Sequence, residues 1–180
     1  MLPTMRVRVP ADYRAAKAAI RIAAETPGPF YVRMGRHPVP EVYNTDSDFA
    51  LGKAKVLREG TDVSLLACGV EVAQALAAAD QLAEKGISAE VVDVFSVKPL
   101  DEDAILATAT KTGRVVTCEE HMVWGGMGSA VAELLASKLP TPTLFECLHA
   151  PCTPAHGDAL PHHFALDAQV TAAHVEYFLT

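Results

Sequence analysis

Three stretches of the 180-residue sequence hold side chains whose types and spacing could do chemistry. The first is residues 114–138, RVVTCEEHMVWGGMGSAVAELLASK. Val115, Val116 and Thr117 form a β-branched run that reads as a buried strand, ending in Glu119, Glu120 and His121. Gly125, Gly126 and Gly128 then lead into a helix with Ala130, Val131, Leu134 and Leu135 at helical spacing. An open α/β sheet presents polar groups in this way at the carboxyl ends of its strands, where such folds place their sites. The N–H groups from Gly126 to Ser129 could hold an anion at the helix start. The same glycines could equally serve close packing of helix on strand, and the charges could simply be solvated.

The second stretch, C-L-H-A-P-C-T-P-A-H at 147–156, gathers Cys147, His149, Cys152 and His156. Two thiolates and two imidazoles can form a tetrahedral zinc site, but the spacing matches no common finger or ribbon, so no metal is expected. His162 and His163 read as part of an amphipathic helix beside Phe164 and Leu166. The third places Arg33 and Arg36 around Met34-Gly35. A Gly-Arg turn after a buried strand can aim a guanidinium at a phosphate or carboxylate, which its planar fork matches; a surface ion pair is the plainer use. There is no G-x-x-x-x-G-K-[ST] loop, no G-x-G-x-x-G after a strand and no G-x-S-x-G elbow.

The elements that must position these groups follow an α/β alternation. A strand at 5–9, a helix at 13–25 with Asp12 as N-cap and a strand at 30–34 come first. Two strands and one helix cannot bury both faces of a parallel sheet, so residues 1–43 read as the tail of a domain whose body lies elsewhere. N-T-D-S-D within 44–51 reads as a linker. Residues 52–180 carry strands at 54–57, 63–67, 89–94, 115–117 and 143–147, with helices at 70–85 and 102–110, the glycine-led helix, and a closing pair of short helices. The expectation is a three-layer α/β/α fold with a mostly parallel sheet of about five strands, preceded by an incomplete βαβ piece. The net charge of -7 without a basic cluster argues against nucleic acid, and no apolar run is long enough to span a bilayer. Cys68 and Cys118 read as small core residues in a reducing cytosol.

Taken in order, MRVRVPADYRAAKAAI, GPFYVRMGRHPVPEVY, FALGKAKVLREGTDVSLLACG, GISAEVVDVFSVKPLDEDAI and TGRVVTCEEHMVWGGMGSAVAELLA resemble the C-terminal third of transketolase-type thiamine diphosphate enzymes. HHFALDAQVTAAHVEYFL resembles the family's closing helices, whereas LHAPCTPAHGD departs from its pattern. The resemblance implies that residues 1–43 end a pyrimidine-binding domain, that 44–51 are a linker and that 52–180 are the C-terminal domain. It implies two-carbon ketol transfer between phosphosugars, with thiamine diphosphate and magnesium in the full enzyme. The G-D-G…N element and the upstream glutamate that serve that cofactor are not in this sequence, so none is expected on this chain alone and no catalytic residue is assigned to it. The chain would then be a fragment, an excised domain or one subunit of a split enzyme, partnered by diphosphate- and pyrimidine-binding domains. The full assembly is expected to be a cytoplasmic homodimer. Arg36 falls where transketolases contact the substrate phosphate, a charge-assisted contact on the order of 2–3 kcal/mol. Glu119, Glu120, His121, Gly125, Gly126 and Gly128 match a family hallmark and are expected at inter-domain contacts or the edge of the site. The alternatives are 1-deoxyxylulose-5-phosphate synthase, a 2-oxoacid dehydrogenase β subunit and a non-catalytic oligomerisation module; the wording of VRMGR and KPLD favours transketolase.

Overall fold

The computed structural model describes residues 2–36, 38–44, 49–148 and 166–180. Its main sheet has five strands in the order β3-β5-β4-β7-β8: β3 (Lys55–Arg58), β4 (Val63–Ala67), β5 (Ala89–Asp93), β7 (Val115–Met122) and β8 (Thr143–Leu148). All neighbours are parallel except β3, an antiparallel edge strand on β5. Every residue of β4 and β5 is buried, as strands covered on both faces require.

The alternation of side chains across β4 divides the core in two. Val63, Leu65 and Ala67 pack under α1 (Tyr13–Glu25), α2 (Glu71–Glu84) and α5 (Ala168–Leu179). Leu66, on the opposite face, packs with Ile105 of α3 (Glu102–Thr112) and with Val131 and Leu135 of α4 (Met127–Lys138). The three layers expected from the sequence are present. Most element ends fall within a residue or two of expectation, and two differences are larger. Strand β7 continues through Glu119, Glu120 and His121 to Met122, where it rejoins β8 beyond an irregularity in the register. A short strand, β6 (Ser96–Lys98), occupies a stretch to which the sequence reading assigns no strand. Three residues carry too little periodicity to announce a strand, and its partner lies about 90 positions upstream. The first of the two closing helices falls outside the described residues. No helix among those described is long and apolar enough to cross a membrane.

That partner is β1 (Arg6–Arg8), which lies between β2 (Phe30–Val32), parallel, and β6, antiparallel. The N-terminal segment therefore rests on the larger sheet. Val9 N–H donates to the Phe95 carbonyl (3.0 Å), and Gly69 N–H donates to the Val9 carbonyl (3.2 Å). Gly69 has φ +61°, and a Cβ there would sit 2.9 Å from Val9 Cγ1, so both turn and contact require glycine.

Asp12 fastens the segment a second time. Its Oδ1 accepts from Ala15 N–H (2.9 Å) as the N-cap of α1, while Oδ2 accepts from the N–H groups of Val42 (3.0 Å) and Tyr43 (2.9 Å). Tyr43 OH donates to Asp93 Oδ2 (2.7 Å), and the Tyr43, Phe49 and Phe95 rings stack edge-on at 4.8 and 5.2 Å between centroids. Arg8, 1% exposed, donates from Nη2 to the Phe49 carbonyl (2.6 Å) and lies 5.1 Å from the Phe95 ring centre. Phe49 belongs to the expected linker yet is buried; residues 45–48 lie outside the described residues.

Burial pushes the Asp93 carboxyl up to about 7, against the opposing pull of the Tyr43 hydrogen bond, Arg8 and Lys55. Glu71, buried in the first turn of α2, is raised to about 8 by burial and then by the nearby Glu120 and Glu146 carboxylates. An unfolded chain releases these protons near pH 4, whereas the folded chain keeps them until about pH 7–8. The native state thus binds more protons across that window, and stability falls as pH rises through it. Thermal unfolding is expected at a higher temperature at pH 6 than at pH 8.5. Asp93→Asn and Glu71→Gln should each narrow that difference, read by scanning calorimetry at both pH values.

Candidate functional site at the carboxyl ends of the strands

In an open α/β sheet the strand order reverses between β4 and β7, and the crevice beyond their carboxyl ends is the usual place for a ligand. Here the chain itself occupies that edge. Val9 crosses the end of β4, and a Cβ on Gly35 would lie 3.2 Å from Val70 Cγ1, so the turn after β2 sits against the turn after β4.

Two successive carboxylates at the end of β7 fasten what surrounds it. Glu119 is 3% exposed; Oε2 accepts from Met127 N–H (2.7 Å) and Oε1 from Gly128 N–H (2.8 Å). It caps α4, which has no side-chain cap of its own at Gly126. Two of the helix N–H groups that could hold an external anion, those of Met127 and Gly128, are therefore taken by this internal one. The glycines follow from it. A Cβ on Gly126 would lie 2.5 Å from both Glu119 oxygens, and one on Gly128 would lie 2.8 Å from Thr117 Oγ1 and 2.9 Å from Phe145 Cδ1. Gly125, at φ +78° with open space around it, makes the turn itself. Ser129 braces the turn, accepting from Gly125 N–H (2.9 Å) and donating to the Val123 carbonyl (2.6 Å). Trp124, in that turn, is 78% exposed.

Glu120 reaches the N-terminal segment. Arg33 Nη2 donates to the main-chain carbonyl of Glu120 and to its Oε2 (3.0 Å). Of the two arginines considered from the sequence, Arg33 is the one in an ion pair. Arg36 is exposed at the turn and makes no hydrogen bond or ion pair among the described residues. His121 Nδ1 donates to the Met122 carbonyl (2.9 Å), and its ring joins Arg33 and Glu119 in the wall of a cavity of about 310 Å³. Met5, Val7, Tyr31, Val97 and Met127 make much of the remaining wall apolar.

The structure thus brings Glu119, Gly126 and Gly128 into one contact and Glu120 into another with Arg33, and leaves Arg36 apart from both. Glu71 and Asp93 escape a sequence reading, because an isolated acid in a helix start or at a strand end looks solvated until the fold buries it. Of the four candidate ligands in the His/Cys-rich loop only Cys147 is described; His149, Cys152 and His156, like His37, His162 and His163, lie outside the described residues. Burial raises the Cys68 and Cys118 thiols well above their ordinary range and pushes Cys147 up to about 11.

Comparison with known proteins bears on this geometry. Residues 52–174 match the family model described as transketolase, C-terminal domain. The chain is 48% identical over 141 residues to the 6-deoxy-6-sulfo-D-fructose transketolase subunit SqwH of Clostridium sp. (strain MSTE9), covering 78% of this chain and 44% of that protein. It is 45% identical over 141 residues to a subunit of the apulose-4-phosphate transketolase of Phocaeicola vulgatus, covering 78% and 45%. The chain thus spans about half the length of the curated relatives it matches. A solved split-gene transketolase, in an inactive β4 tetramer, superposes with a TM-score of 0.96 at 43% identity, over 99% of this chain and 59% of that one.

The Glu119 contact makes a stability prediction. Gly126→Ala is expected to lower unfolding free energy by about 1–3 kcal/mol through overpacking, and Glu119→Ala by about 0.5–2 kcal/mol through loss of a helix cap. The double variant should cost less than the sum, since removing the carboxylate makes room for the methyl group; urea unfolding of the four proteins reads this. For the thiols, a Cys152→Ser chain is expected to show no thiol titratable by a disulfide reagent at pH 8 until it is unfolded.

Proposed function

Because this chain belongs to the transketolase family, we propose that it is the C-terminal part of a thiamine diphosphate-dependent ketol-transferring enzyme, holding the anionic end of the substrate through Arg36. The observation that carries this reading is the state of Arg36. Its guanidinium is exposed at the carboxyl edge of the sheet, on a turn its neighbours hold in place, with no partner of its own among the described residues. The names of the two relatives support it, one carrying a phosphate and the other a sulfo group on the sugar. A guanidinium fork meets either tetrahedral oxyanion through the same paired N–H donors.

The described residues do not fit the cofactor. The N–H groups at the start of α4 already hold Glu119, and no described cluster of three or more His, Cys, Asp or Glu side chains is placed to hold a metal ion. No chemical step is therefore assigned to residues of this chain. Cofactor, magnesium and catalytic groups belong on diphosphate- and pyrimidine-binding domains outside these 180 residues, further domains of the enzyme or a partner subunit, and these residues alone are inactive. Residues 1–43 belong with the pyrimidine-binding part, 44–51 join it to the C-terminal domain at 52–180, and the glycine turn with Glu119, Glu120 and His121 lies where the parts meet. The assembly contains paired copies of this chain and works in the cytoplasm on phosphosugars. Self-association of the split-gene neighbour supports the pairing.

Reconstitution with the cofactor-bearing polypeptide tests this reading. Ketol transfer between phosphosugars should appear only in the mixture, and pyruvate should not replace the ketose. Arg36→Ala should raise KM for a phosphorylated ketose by about 10- to 100-fold, the worth of a charge-assisted contact. An unchanged KM would remove the anchor, and activity of the chain alone would remove the division of labour.

A further inference from the structure

We infer that Glu120 is a positioning residue: acting through Arg33, it sets how the turn after β2 presents Arg36, and so governs selectivity for a phosphorylated substrate. The inference rests on the reading of Arg36 above but concerns a residue that touches no substrate. The main-chain ladder between β1 and β2 ends at Arg33, whose N–H donates to the Arg8 carbonyl (2.9 Å). Among the described residues no main-chain hydrogen bond fixes Met34, Gly35 or Arg36. Gly35 lies close to Val70, and the Arg33 guanidinium, just before the turn, rests on Glu120.

The second contact is more than a surface ion pair. One of its acceptors is a main-chain carbonyl in β7, whose position the sheet fixes, and the carboxylate accepts from the same nitrogen at 3.0 Å. The Arg33 side chain is 28% exposed and that of Glu120 43%, so their attraction adds little to global stability. Its effect is local. It ties the residue just after β2 to the carboxyl end of β7, three positions before Arg36. Releasing it frees the backbone that carries the anchor, and small displacements of a binding group are costly to recognition.

The test compares KM for a phosphorylated ketose with KM for the same ketose without phosphate, in the assembly reconstituted with the cofactor-bearing polypeptide. Glu120→Ala should raise that ratio by about 3- to 30-fold, less than Arg36→Ala because the carbonyl contact survives. Glu120→Gln, whose amide oxygen still accepts from Arg33, should stay within about 2-fold of the parent. Glu120→Ala on top of Arg36→Ala should add nothing. On the chain by itself, amide hydrogen exchange over residues 33–36 should quicken in Glu120→Ala and not in Glu120→Gln. If Arg36→Ala leaves the ratio unchanged, the anchor itself is wrong. If Arg36→Ala raises it and Glu120→Ala does not, only the positioning role falls. Equal losses with both sugars in Glu120→Ala would mark a general structural role and overturn the inference.

Discussion

A carboxylate taken out of water must find donors, and for Glu119 these are the two main-chain N–H groups that open α4. Much of the local architecture follows from that pairing. The helix start is drawn onto the end of β7, and neither Gly126 nor Gly128 has room for a side chain. The turn that leads into them needs a left-handed residue at Gly125. A glycine-rich strand-to-helix turn in an α/β sheet invites the thought of a bound phosphate. Here the anion is built in, and the turn is a clasp between layers.

The next residue points the same logic outward. Successive side chains of a strand leave by opposite faces, so Glu119 can serve α4 while Glu120 serves the N-terminal segment. Around them Val9 crosses the end of β4, Asp12 ties α1 to residues 42 and 43, and Tyr43 reaches Asp93. The edge where an open α/β sheet usually admits a ligand is, in this chain, crossed by its own backbone, which leaves beside it the cavity walled by Arg33, Glu119 and His121. Arg36 is left exposed at its margin.

Much of the layer structure was legible because it rests on local signals. The apolar runs of β4 and β5 mark buried strands, and Asp12 marks the start of α1 where the structure has it. What stayed hidden needs partners far along the chain. Strand β6 is a strand only because β1 pairs with it. Glu119 and Glu120 look alike in sequence, yet one is sealed in the core and the other is half exposed, a difference set by which side of β7 each occupies. Arg8, in an alternating strand pattern, gives no sign that its guanidinium will lie beneath Phe95 in the interior.

Trp124 is the sole tryptophan of the chain, and it stands in solvent on the turn that Glu119 anchors. Its indole emission therefore originates from one place, a few residues from the junction between the glycine turn and the N-terminal segment. Any polypeptide seated there would exclude water from that ring and shift its fluorescence to the blue, so the molecule carries an intrinsic optical reporter of its own assembly.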